Sequence, residues 1–476
     1  MQPLPPFLDR AALHELNAWF DSAPRKPLII RGARQVGKST LVTAFARSRG
    51  LALHTVNLER HPGLDKVFRT LDVQRILREL DGIAGRNPAA GGLLFLDEIQ
   101  AAPAALTALR YFHEELPAMP VIAAGSLLDF ALGDASVSMP VGRIEYRHLH
   151  PLNFAEFLAA LGKERLLERL RAFSSVEPEA FPGTAHAELI QAQRLYLFTG
   201  GMPEAVQAYM AKGQAADAER VQRSILDTYR DDFAKYATKK ELARLQWIFD
   251  KIPLWVGHKV KYAAISREEP ARELKAVIRL LAKARVVTMV HHSGGAGLPL
   301  AASADPDVYK LLSLDVGLMN RQLGLDWPAL SALDDRRLIN EGPLAEQFVG
   351  TELLAAIGRE GEDARLFYWL REGRSSNAEV DYLVSHGGLV VPVEVKAGTA
   401  GTLKSLHQFA AEKGTALAVR FDLRPPSLHD VSTFVSRDGR PLPVAYRLLS
   451  LPLYMAGQLP RLLDELRGPS PKAPRP

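Results

Sequence analysis

The chain has 476 residues, and at roughly 150 residues per domain this length suggests about three domains. Apolar residues make up 47% and charged residues 24% of the sequence, so a packed globular interior is expected throughout. The 59 Lys and Arg residues exceed the 54 Asp and Glu residues by a net charge of +5, which permits a basic patch but does not by itself indicate a nucleic-acid-binding protein. The absence of cysteine excludes disulfides, thiolate zinc sites and cysteine nucleophiles.

The sequence shows no pattern typical of a secreted or membrane-spanning protein. The first ten residues, MQPLPPFLDR, lack the basic-then-apolar pattern of a secretion signal. No apolar run approaches the roughly 18 residues that a membrane span needs. We therefore expect a cytoplasmic protein that does not bind a membrane. Residues 468–476 are rich in proline and are predicted to be a disordered tail.

The first motif has the pattern G-x-x-x-x-G-K-[ST] between an apolar strand predicted at 28–30 and a predicted helix. In such a P-loop the glycines let successive N–H groups point at phosphate oxygens, and the helix N-terminus adds partial positive charge. Lys38 is predicted to reach the β- and γ-phosphates and Ser39 to ligate Mg²⁺, with Thr40 as its neighbour. ATP and GTP both fit this motif. The predicted nucleotide-binding residues are Gly32, Ala33, Arg34, Gln35, Val36, Gly37, Lys38, Ser39 and Thr40.

A second segment, LLFLDE at 93–98, is an apolar run that ends in two acids, as is typical of a strand buried on both faces. Asp97 is predicted to hold the Mg²⁺ shell, and Glu98 to act as the general base that accepts a proton from the attacking water. A third apolar strand, at 120–126, ends in Ser126. Because ligands bind at the carboxyl ends of parallel strands, we expect these strand ends to converge on one crevice.

The segments GARQVGKST, LFLDEIQ, AAGSLLDF, GRIEYRHLHPLNFAEFL and FTGGMPEAV, in this order, resemble a bacterial and archaeal family of AAA+ ATPases that carry a C-terminal domain of unknown function. The resemblance covers nearly the whole chain and implies ATP rather than GTP as the cofactor. It also implies that Ser126 senses the γ-phosphate, with a plain strand-end residue as the alternative.

The same resemblance suggests two further site residues. Arg143 would stabilise transition-state charge, in cis or from a neighbouring subunit of a homo-oligomer. Arg147 competes for this role, and a structural arginine is the alternative. Pro203, in Gly200–Glu204, would pack against the nucleotide base and link the core to the following helices; a simple helix boundary is the alternative.

Residues 205–330 are predicted to be rich in helices and to end in two strands, at 285–290 and 307–312. The family resemblance implies a winged helix here, a module that binds duplex DNA or serves protein interaction and oligomer packing. The pair His291 and His292 is predicted to lie in a turn rather than to bind a metal.

The last third contains a second constellation. A helix predicted at 341–358 carries Glu346, and two following strands carry Asp381 and then Glu394 and Lys396, which share one face. These residues resemble a restriction-endonuclease-like site, in which Asp381 and Glu394 would bind Mg²⁺ or Mn²⁺ and Lys396 would help activate water. Glu346 would be an extra ligand or would orient the others. The alternative is a buried ion-pair network in a domain that binds nucleic acid without cutting it.

The predicted fold class is α/β. We expect an AAA+ parallel-sheet core with a P-loop at 1–200, a helical linker and winged-helix module at 201–330, and an α/β restriction-endonuclease-like domain at 331–467. The predicted function is Mg²⁺-dependent ATP hydrolysis coupled to DNA binding or processing by the nuclease-like domain. The alternative is a nucleotide-dependent switch or scaffold that binds a protein partner, with an inactive nuclease fold.

Overall fold

The computed structural model of the chain describes most of its length. The described residues are 7–84, 92–126, 128, 142–235, 237–328, 342–358, 362–372, 377–396, 402–437 and 440–467. The tail predicted at 468–476 lies outside them. No helix in these ranges has the length and apolarity needed to cross a membrane.

The N-terminal part is built on a five-stranded sheet with the strand order β2-β3-β4-β1-β5. All of its pairings are parallel, which confirms the predicted α/β core. The three inner strands β3, β4 and β1 end side by side at one edge of the sheet. The strands are β1 Leu28–Arg31, β2 Leu53–Asn57, β3 Leu93–Asp97, β4 Val121–Gly125 and β5 Glu145–His148.

Helices cover both faces of this sheet. Because alternate side chains of a strand point to opposite faces, Ile29 and Leu96 are buried in one apolar cluster, while Ile30 and Phe95 are buried in the other. This explains why the strands are apolar without alternation. The helices of this part are α1 Ala11–Asp21, α2 Lys38–Ser48, α3 Leu64–Phe68, α4 Val73–Ala84 and α5 Ala104–Glu115.

A helical region follows. Helix α6 begins at a capping box in which Asn153 and Glu156 satisfy each other's backbone N–H groups. Helix α13 buries an apolar stripe that includes Leu274 and Ile278. The helices are α6 Phe154–Ala160, α7 Glu164–Ala172, α8 Gly183–Thr199, α9 Pro203–Lys212, α10 Ala215–Asp232, α11 Lys239–Lys251, α12 Tyr262–Ile265, α13 Ala271–Lys283 and α14 Val316–Gln322.

The C-terminal part is a mixed eight-stranded sheet with the order β12-β13-β11-β10-β9-β8-β6-β7. Strands β8, β9 and β10 are antiparallel, whereas β10, β11 and β13 run parallel. The strands are β6 Val287–Ser293, β7 Ala304–Ser313, β8 Phe367–Arg371, β9 Ala378–His386, β10 Leu389–Val395, β11 Leu417–Asp422, β12 Ser427–Arg437 and β13 Arg440–Pro452. Three helices accompany them: α15 Gly342–Ile357, α16 Lys404–Lys413 and α17 Leu459–Arg467.

The structure corrects the prediction for His291 and His292. Both residues lie within β6, not in a turn, and an irregularity of the β6–β7 pairing falls between them. The chain turns only after Ser293, where Gly294 begins the connection to β7.

The predicted parts of the chain pack into one body. Hairpin β6–β7 joins the C-terminal sheet because β6 pairs in parallel with β8, so this sheet crosses the expected domain boundary at residue 330. One cluster of buried apolar side chains includes both Trp19 of α1 and Leu463 of α17. A buried carboxylate, Glu352 of α15, accepts a hydrogen bond from the Phe154 N–H at 2.8 Å. The N-terminal core is therefore in direct contact with the C-terminal domain.

Candidate functional site

The P-loop connects β1 to α2 and depends on its two glycines. A Cβ at Gly32 would overlap the carbonyl oxygen of Leu149, which follows β5. Gly37 has φ 93, in the left-handed region, and caps the N-terminus of α2. The loop can therefore approach a phosphate closely with its backbone N–H groups, as an anion site at a helix N-terminus requires.

Lys38 is folded back on this loop. Its Nζ donates hydrogen bonds to the carbonyl oxygens of Gly32 at 3.1 Å and Ala33 at 2.8 Å. The side chain is buried, and this burial lowers the pKa of Lys38 to about 8. An anion beside the ammonium would favour its charged form, so the lysine suits a phosphate ligand.

Ser39 and Asp97 come together as the two motifs predict. The Ser39 hydroxyl donates a hydrogen bond of 2.9 Å to Oδ2 of Asp97. Ser39 is exposed, and burial raises the pKa of Asp97 although the Ser39 hydrogen bond opposes the shift. An alcohol and a carboxylate are hard oxygen donors, so this pair fits Mg²⁺.

Glu98 is held by a residue to which the sequence analysis gave no role. Gln100 donates a hydrogen bond from Nε2 to Oε2 of Glu98 at 2.6 Å. Glu98 itself has φ 52, a left-handed conformation that is uncommon outside glycine. A Cβ at Gly125 would overlap the Gln100 side chain, so the end of β4 leaves room for this clamp. The segment LFLDEIQ contains Gln100 and could have indicated it.

Ser126 follows β4, the strand between β3 and β1. Its side chain is buried, and its Oγ has no hydrogen-bond partner among the described residues. A buried hydroxyl without a partner is uncommon in folded proteins. The position next to the P-loop and the acidic strand is compatible with the predicted phosphate contact.

Residues from other elements form hydrogen bonds and ion pairs with the remaining P-loop residues. Arg34 forms an ion pair with Asp232 at the end of α10, and its carbonyl oxygen accepts a hydrogen bond from the Tyr229 hydroxyl at 2.7 Å. The Val36 carbonyl accepts a hydrogen bond from Arg10 at 3.1 Å. The side chains of Gln35 and Thr40 are exposed.

Pro203 and the two glycines before it lie where the P-loop, α9 and the start of α14 meet. A Cβ at Gly37 would lie 3.5 Å from Cγ of Pro203, so α9 begins against the P-loop. The Gly201 N–H donates a 2.6 Å hydrogen bond to Asp315, which is buried. A Cβ at Gly201 would overlap the Leu152 carbonyl oxygen. The segment therefore links the core to α14 through close backbone packing.

Arg143 does not lie near the phosphate site. It precedes β5, whose first residue Glu145 pairs with Leu28 at the start of β1, whereas the P-loop follows the end of β1. Its guanidinium forms an ion pair of 3.3 Å with Glu114. Arg143 therefore lies at the amino ends of the strands, whereas the P-loop lies at their carboxyl ends.

Arg147, the competing arginine, is also committed elsewhere. It is buried within β5 and forms ion pairs with Glu15 at 3.4 Å and Glu145 at 3.9 Å. Its Nη1 also donates a hydrogen bond of 2.8 Å to the Tyr146 carbonyl. The ion pair with Glu15 connects β5 to α1.

A polar chain links the end of β5 to the C-terminal parts. Nδ1 of His148 lies 3.3 Å from Asp363, and Asp363 makes a two-pronged ion pair with Arg285, at 3.1 and 2.9 Å. Burial lowers the pKa of His148 to about 4, so its imidazole is neutral near pH 7. His148 pairs in the sheet with Arg31, the residue before the P-loop. No local sequence pattern indicates these contacts, because the residues lie far apart in the sequence.

The acids predicted for the C-terminal site come together, but around a lysine that the sequence analysis missed. Lys310 of β7 is 2% exposed. Its Nζ donates hydrogen bonds to Glu346 at 3.1 Å and Asp381 at 3.4 Å, and it forms an ion pair with Glu379. No local sequence pattern indicates the role of Lys310, because it precedes Glu346 by 36 residues and Asp381 by 71.

Glu394 and Lys396 complete this cluster. Their side chains form an ion pair with each other, as expected for neighbours on one strand face. The second oxygen of Asp381 accepts a hydrogen bond from the Val395 N–H at 2.7 Å. Oε2 of Glu394 is buried and has no hydrogen-bond partner among the described residues.

The predicted second metal site involves Glu346, Asp381 and Glu394. Within the described ranges, no group of three His, Asp or Glu side chains is arranged to hold a metal ion. An oxygen of Glu346 accepts a hydrogen bond from Lys310, and an oxygen of Asp381 accepts one from the Val395 N–H. Glu394 is ion-paired with Lys396.

Three family comparisons cover most of the chain. Residues 24–158 match an AAA domain, residues 190–329 match a domain of unknown function, DUF8612, and residues 341–435 match a second one, DUF4143. A comparison with curated proteins gives no match. The match over 24–158 contains the P-loop and the acidic strand.

Among solved structures, the chain is similar to the ORC2 protein of Aeropyrum pernix. Its ADP form has 14% sequence identity and a TM-score of 0.30, over 65% of this chain and 92% of that chain. Its ADPNP-ADP complexes have 15% identity and a TM-score of 0.32, over 70% of this chain and 97% of that chain. TM-scores this low do not establish a shared overall fold.

The nucleotide site rests on its own geometry and on the family match. A P-loop at the end of β1, an acidic pair at the end of β3 and a polar residue after β4 lie at one edge of a parallel sheet. Residues 24–158 therefore form an AAA-type P-loop domain, the nucleotide-binding part of an ATPase.

Proposed function

We propose that this protein is a Mg²⁺-dependent ATPase that couples its nucleotide state to DNA binding by its C-terminal parts. The observation that supports this proposal is that the P-loop region contacts both the helical region and the C-terminal part of the chain. Arg34 is ion-paired with Asp232 of α10. His148, beside the P-loop, reaches Arg285 through Asp363. A change in the loop on hydrolysis would move these partners.

The chemistry at the ATP site follows from the residues present. Bound Mg²⁺ would neutralise charge on the phosphates, held by Ser39 and Asp97. Lys38 would leave its loop carbonyls for the β- and γ-phosphates. Glu98, oriented by Gln100, would accept the proton of the attacking water. Ser126 would donate its unused hydroxyl to the γ-phosphate.

Arg143 enters the proposal only through a second copy of the chain. At the amino end of β5 it is half-exposed and can face a neighbouring subunit. As a finger acting in trans, it would require a homo-oligomer in which this edge meets the next ATP site. A dilution-dependent ATPase rate would support this part of the proposal.

The DNA-binding part rests on a basic surface. Helix α13 exposes Arg272, Arg279 and Lys283, at the spacing of one helical face. Arg279 and Lys283 line a cavity of about 800 Å³ that also includes Arg285 and Arg365. Clustered Lys and Arg side chains are what a phosphate backbone attracts.

The two domain types expected from the sequence also belong to this proposal. Helix α13 followed by hairpin β6–β7 supports a winged helix, although the hairpin is attached to β8 rather than free. Helix α15 with Glu346, β9 with Asp381 and β10 with Glu394 support a restriction-endonuclease-like domain. The boundaries at 200, 330 and 467 remain part of the proposal.

The direct test is ATPase activity with and without DNA. In low salt, linear duplex or single-stranded DNA should raise the hydrolysis rate of the wild-type protein, because DNA binding and nucleotide state are coupled. Glu98→Gln should still bind ATP but hydrolyse it far more slowly. An ATPase rate that ignores every form of DNA would contradict the proposed coupling.

A second candidate is a nucleotide switch that binds a protein partner. The observation in its favour is Lys310, whose ammonium occupies the centre of the acidic cluster. A domain whose acids are neutralised internally suits recognition better than metal-dependent cleavage. Slow ATP turnover that is indifferent to DNA would favour this candidate.

A further inference from the structure

The acidic cluster of the C-terminal sheet is shared between two parts of the chain that match different families. Lys310 lies in the part matched by DUF8612, whereas Glu346, Glu379 and Asp381 lie in the part matched by DUF4143. Among the described residues, hairpin β6–β7 pairs with β8 at two positions, His291 with Phe367 and His292 with Tyr368. The lysine therefore bridges a joint that has little backbone pairing.

Three carboxylates and an aromatic ring surround the ammonium group of Lys310. Its Nζ contacts Glu346, Asp381 and Glu379, and it lies 5.3 Å from the centre of the Tyr368 ring. Burial opposes its charge, but Glu346, Asp381 and Glu379 raise the pKa of Lys310 above its ordinary value. A buried ammonium with three carboxylate neighbours is a satisfied charge rather than a stray one.

Two lysines supply positive charge inside the cluster. The carboxylates of Glu346, Glu379, Asp381 and Glu394 face the ammonium groups of Lys310 and Lys396.

The contacts of Lys310 also disfavour a metal ion in this cluster. A divalent ion held by Glu346 and Asp381 would need oxygens that now accept hydrogen bonds from Lys310. It would also lie next to the lysine's positive charge, and the low dielectric of the buried site would strengthen this repulsion.

We propose that Lys310 is the built-in counter-ion of this cluster. It locks the β6–β7 hairpin to the C-terminal sheet, takes the place that a divalent metal has in a cleaving site, and leaves the domain without metal-dependent nuclease activity. This proposal concerns a site separate from the ATP site and goes beyond the ATPase function.

The first test is Mn²⁺ binding to the nucleotide-free protein, followed by electron paramagnetic resonance. Wild type and Asp381→Asn should bind the same amount of Mn²⁺, because the cluster holds none. An Mn²⁺ site of the wild type that Asp381→Asn removes would overturn the proposal. Mg²⁺-dependent DNA cleavage that the same substitution abolishes would also overturn it. ATPase activity, measured on the same samples, reports separately on the proposed function.

The second test removes the lysine. Lys310→Met should lower the melting temperature by several degrees, and millimolar Mn²⁺ should restore part of the loss in this variant but not in Lys310→Met/Asp381→Asn. Lys251→Met, a change at an exposed lysine of α11, is the matched control and should melt like the wild type. A Lys310→Met protein that melts like the wild type would contradict the lock. If Lys310→Met does not fold, the Mn²⁺ comparison of wild type with Asp381→Asn still decides the question.

Discussion

The hydroxyl of Ser39 lies 2.9 Å from a carboxylate oxygen of Asp97, although these residues are 58 positions apart in the chain. Ser39 stands in the first turn of α2 and Asp97 at the end of β3, with β4 lying between β3 and β1 in the sheet. Their approach places both proposed Mg²⁺ donors at the edge of the sheet where the P-loop begins.

Removal of either donor should therefore reduce hydrolysis more than nucleotide binding. Ser39→Ala and Asp97→Asn should each lower kcat by roughly 100-fold, the range found when one electrostatic contact to a transition state is lost. A coupled phosphate-release assay over a Mg²⁺ titration measures this. Ser48→Ala, at the other end of α2, is the matched control and should keep the wild-type rate. A near-normal kcat in Asp97→Asn would remove Asp97 from the site.

Gln100 should matter through Glu98. Without its Nε2, the Glu98 carboxylate loses the hydrogen bond of 2.6 Å that orients it. Gln100→Ala should lower kcat by about 10-fold, within the contribution of a positioned general base. In Glu98→Gln the added Gln100→Ala change should cost little more, because the two residues act as a unit. Additive losses in the double variant would show that Gln100 acts independently.

Nucleotide affinity should depend on pH through Lys38. Burial lowers the pKa of this lysine to about 8, and a bound phosphate would raise it again. Binding should therefore take up protons between about pH 8 and 10, and the Kd for ATP should increase as the pH rises above 8. Titration calorimetry in two buffers of different ionisation enthalpy measures the proton uptake. Lys38→Arg, charged over this whole range, should show no such uptake.

Stability should depend on pH through Glu352. This buried acid caps the first N–H of α6, and its burial raises the pKa to about 8. The folded state thus holds a proton that the unfolded state releases, and stability falls as the pH rises from about 4.5 to about 8. Glu352→Gln keeps an acceptor oxygen and should melt progressively higher than the wild type over this range. The exposed Glu168→Gln should show no such gain. A constant difference between the wild type and Glu352→Gln at pH 5 and pH 9 would contradict this account.

The basic face of α13 should carry DNA affinity. The double variant Arg279→Glu/Lys283→Glu should weaken duplex binding by at least about 10-fold in low salt and flatten its dependence on salt, because phosphate contacts are lost. Arg165→Glu/Arg169→Glu, at two exposed positions of α7 with the same spacing, is the control with the same charge change. Equal DNA affinity in the double variant and the wild type would place the DNA surface elsewhere. The ATPase rate without DNA shows whether the protein is intact.

The nucleotide site could be predicted from the sequence because its signals are local. Gly37 and Lys38 are adjacent, and Asp97 and Glu98 end one apolar run, so each half of the site is encoded within a few residues. The parallel order of the core follows from alternating strands and helices. The position of Arg143 could not be obtained in this way, since it depends on which edge of the sheet the start of β5 occupies.

The C-terminal cluster shows the opposite case. Glu394 and Lys396 share a strand face and were expected together, but Lys310 enters from β7, which joins the sheet through long-range pairing. A one-residue change of register in that hairpin would turn Lys310 to the other face. No local pattern specifies such a register, so the lysine became visible only in the folded chain.

Coupling requires that the nucleotide state alters DNA binding. Fluorescence anisotropy of a labelled DNA duplex with the Glu98→Gln protein, saturated with ATP or with ADP in low salt, measures this change. The affinities in the two states should differ by about 5-fold or more, as allosteric coupling typically gives. Equal affinities in both states, or no DNA binding in either, would rule the coupling out.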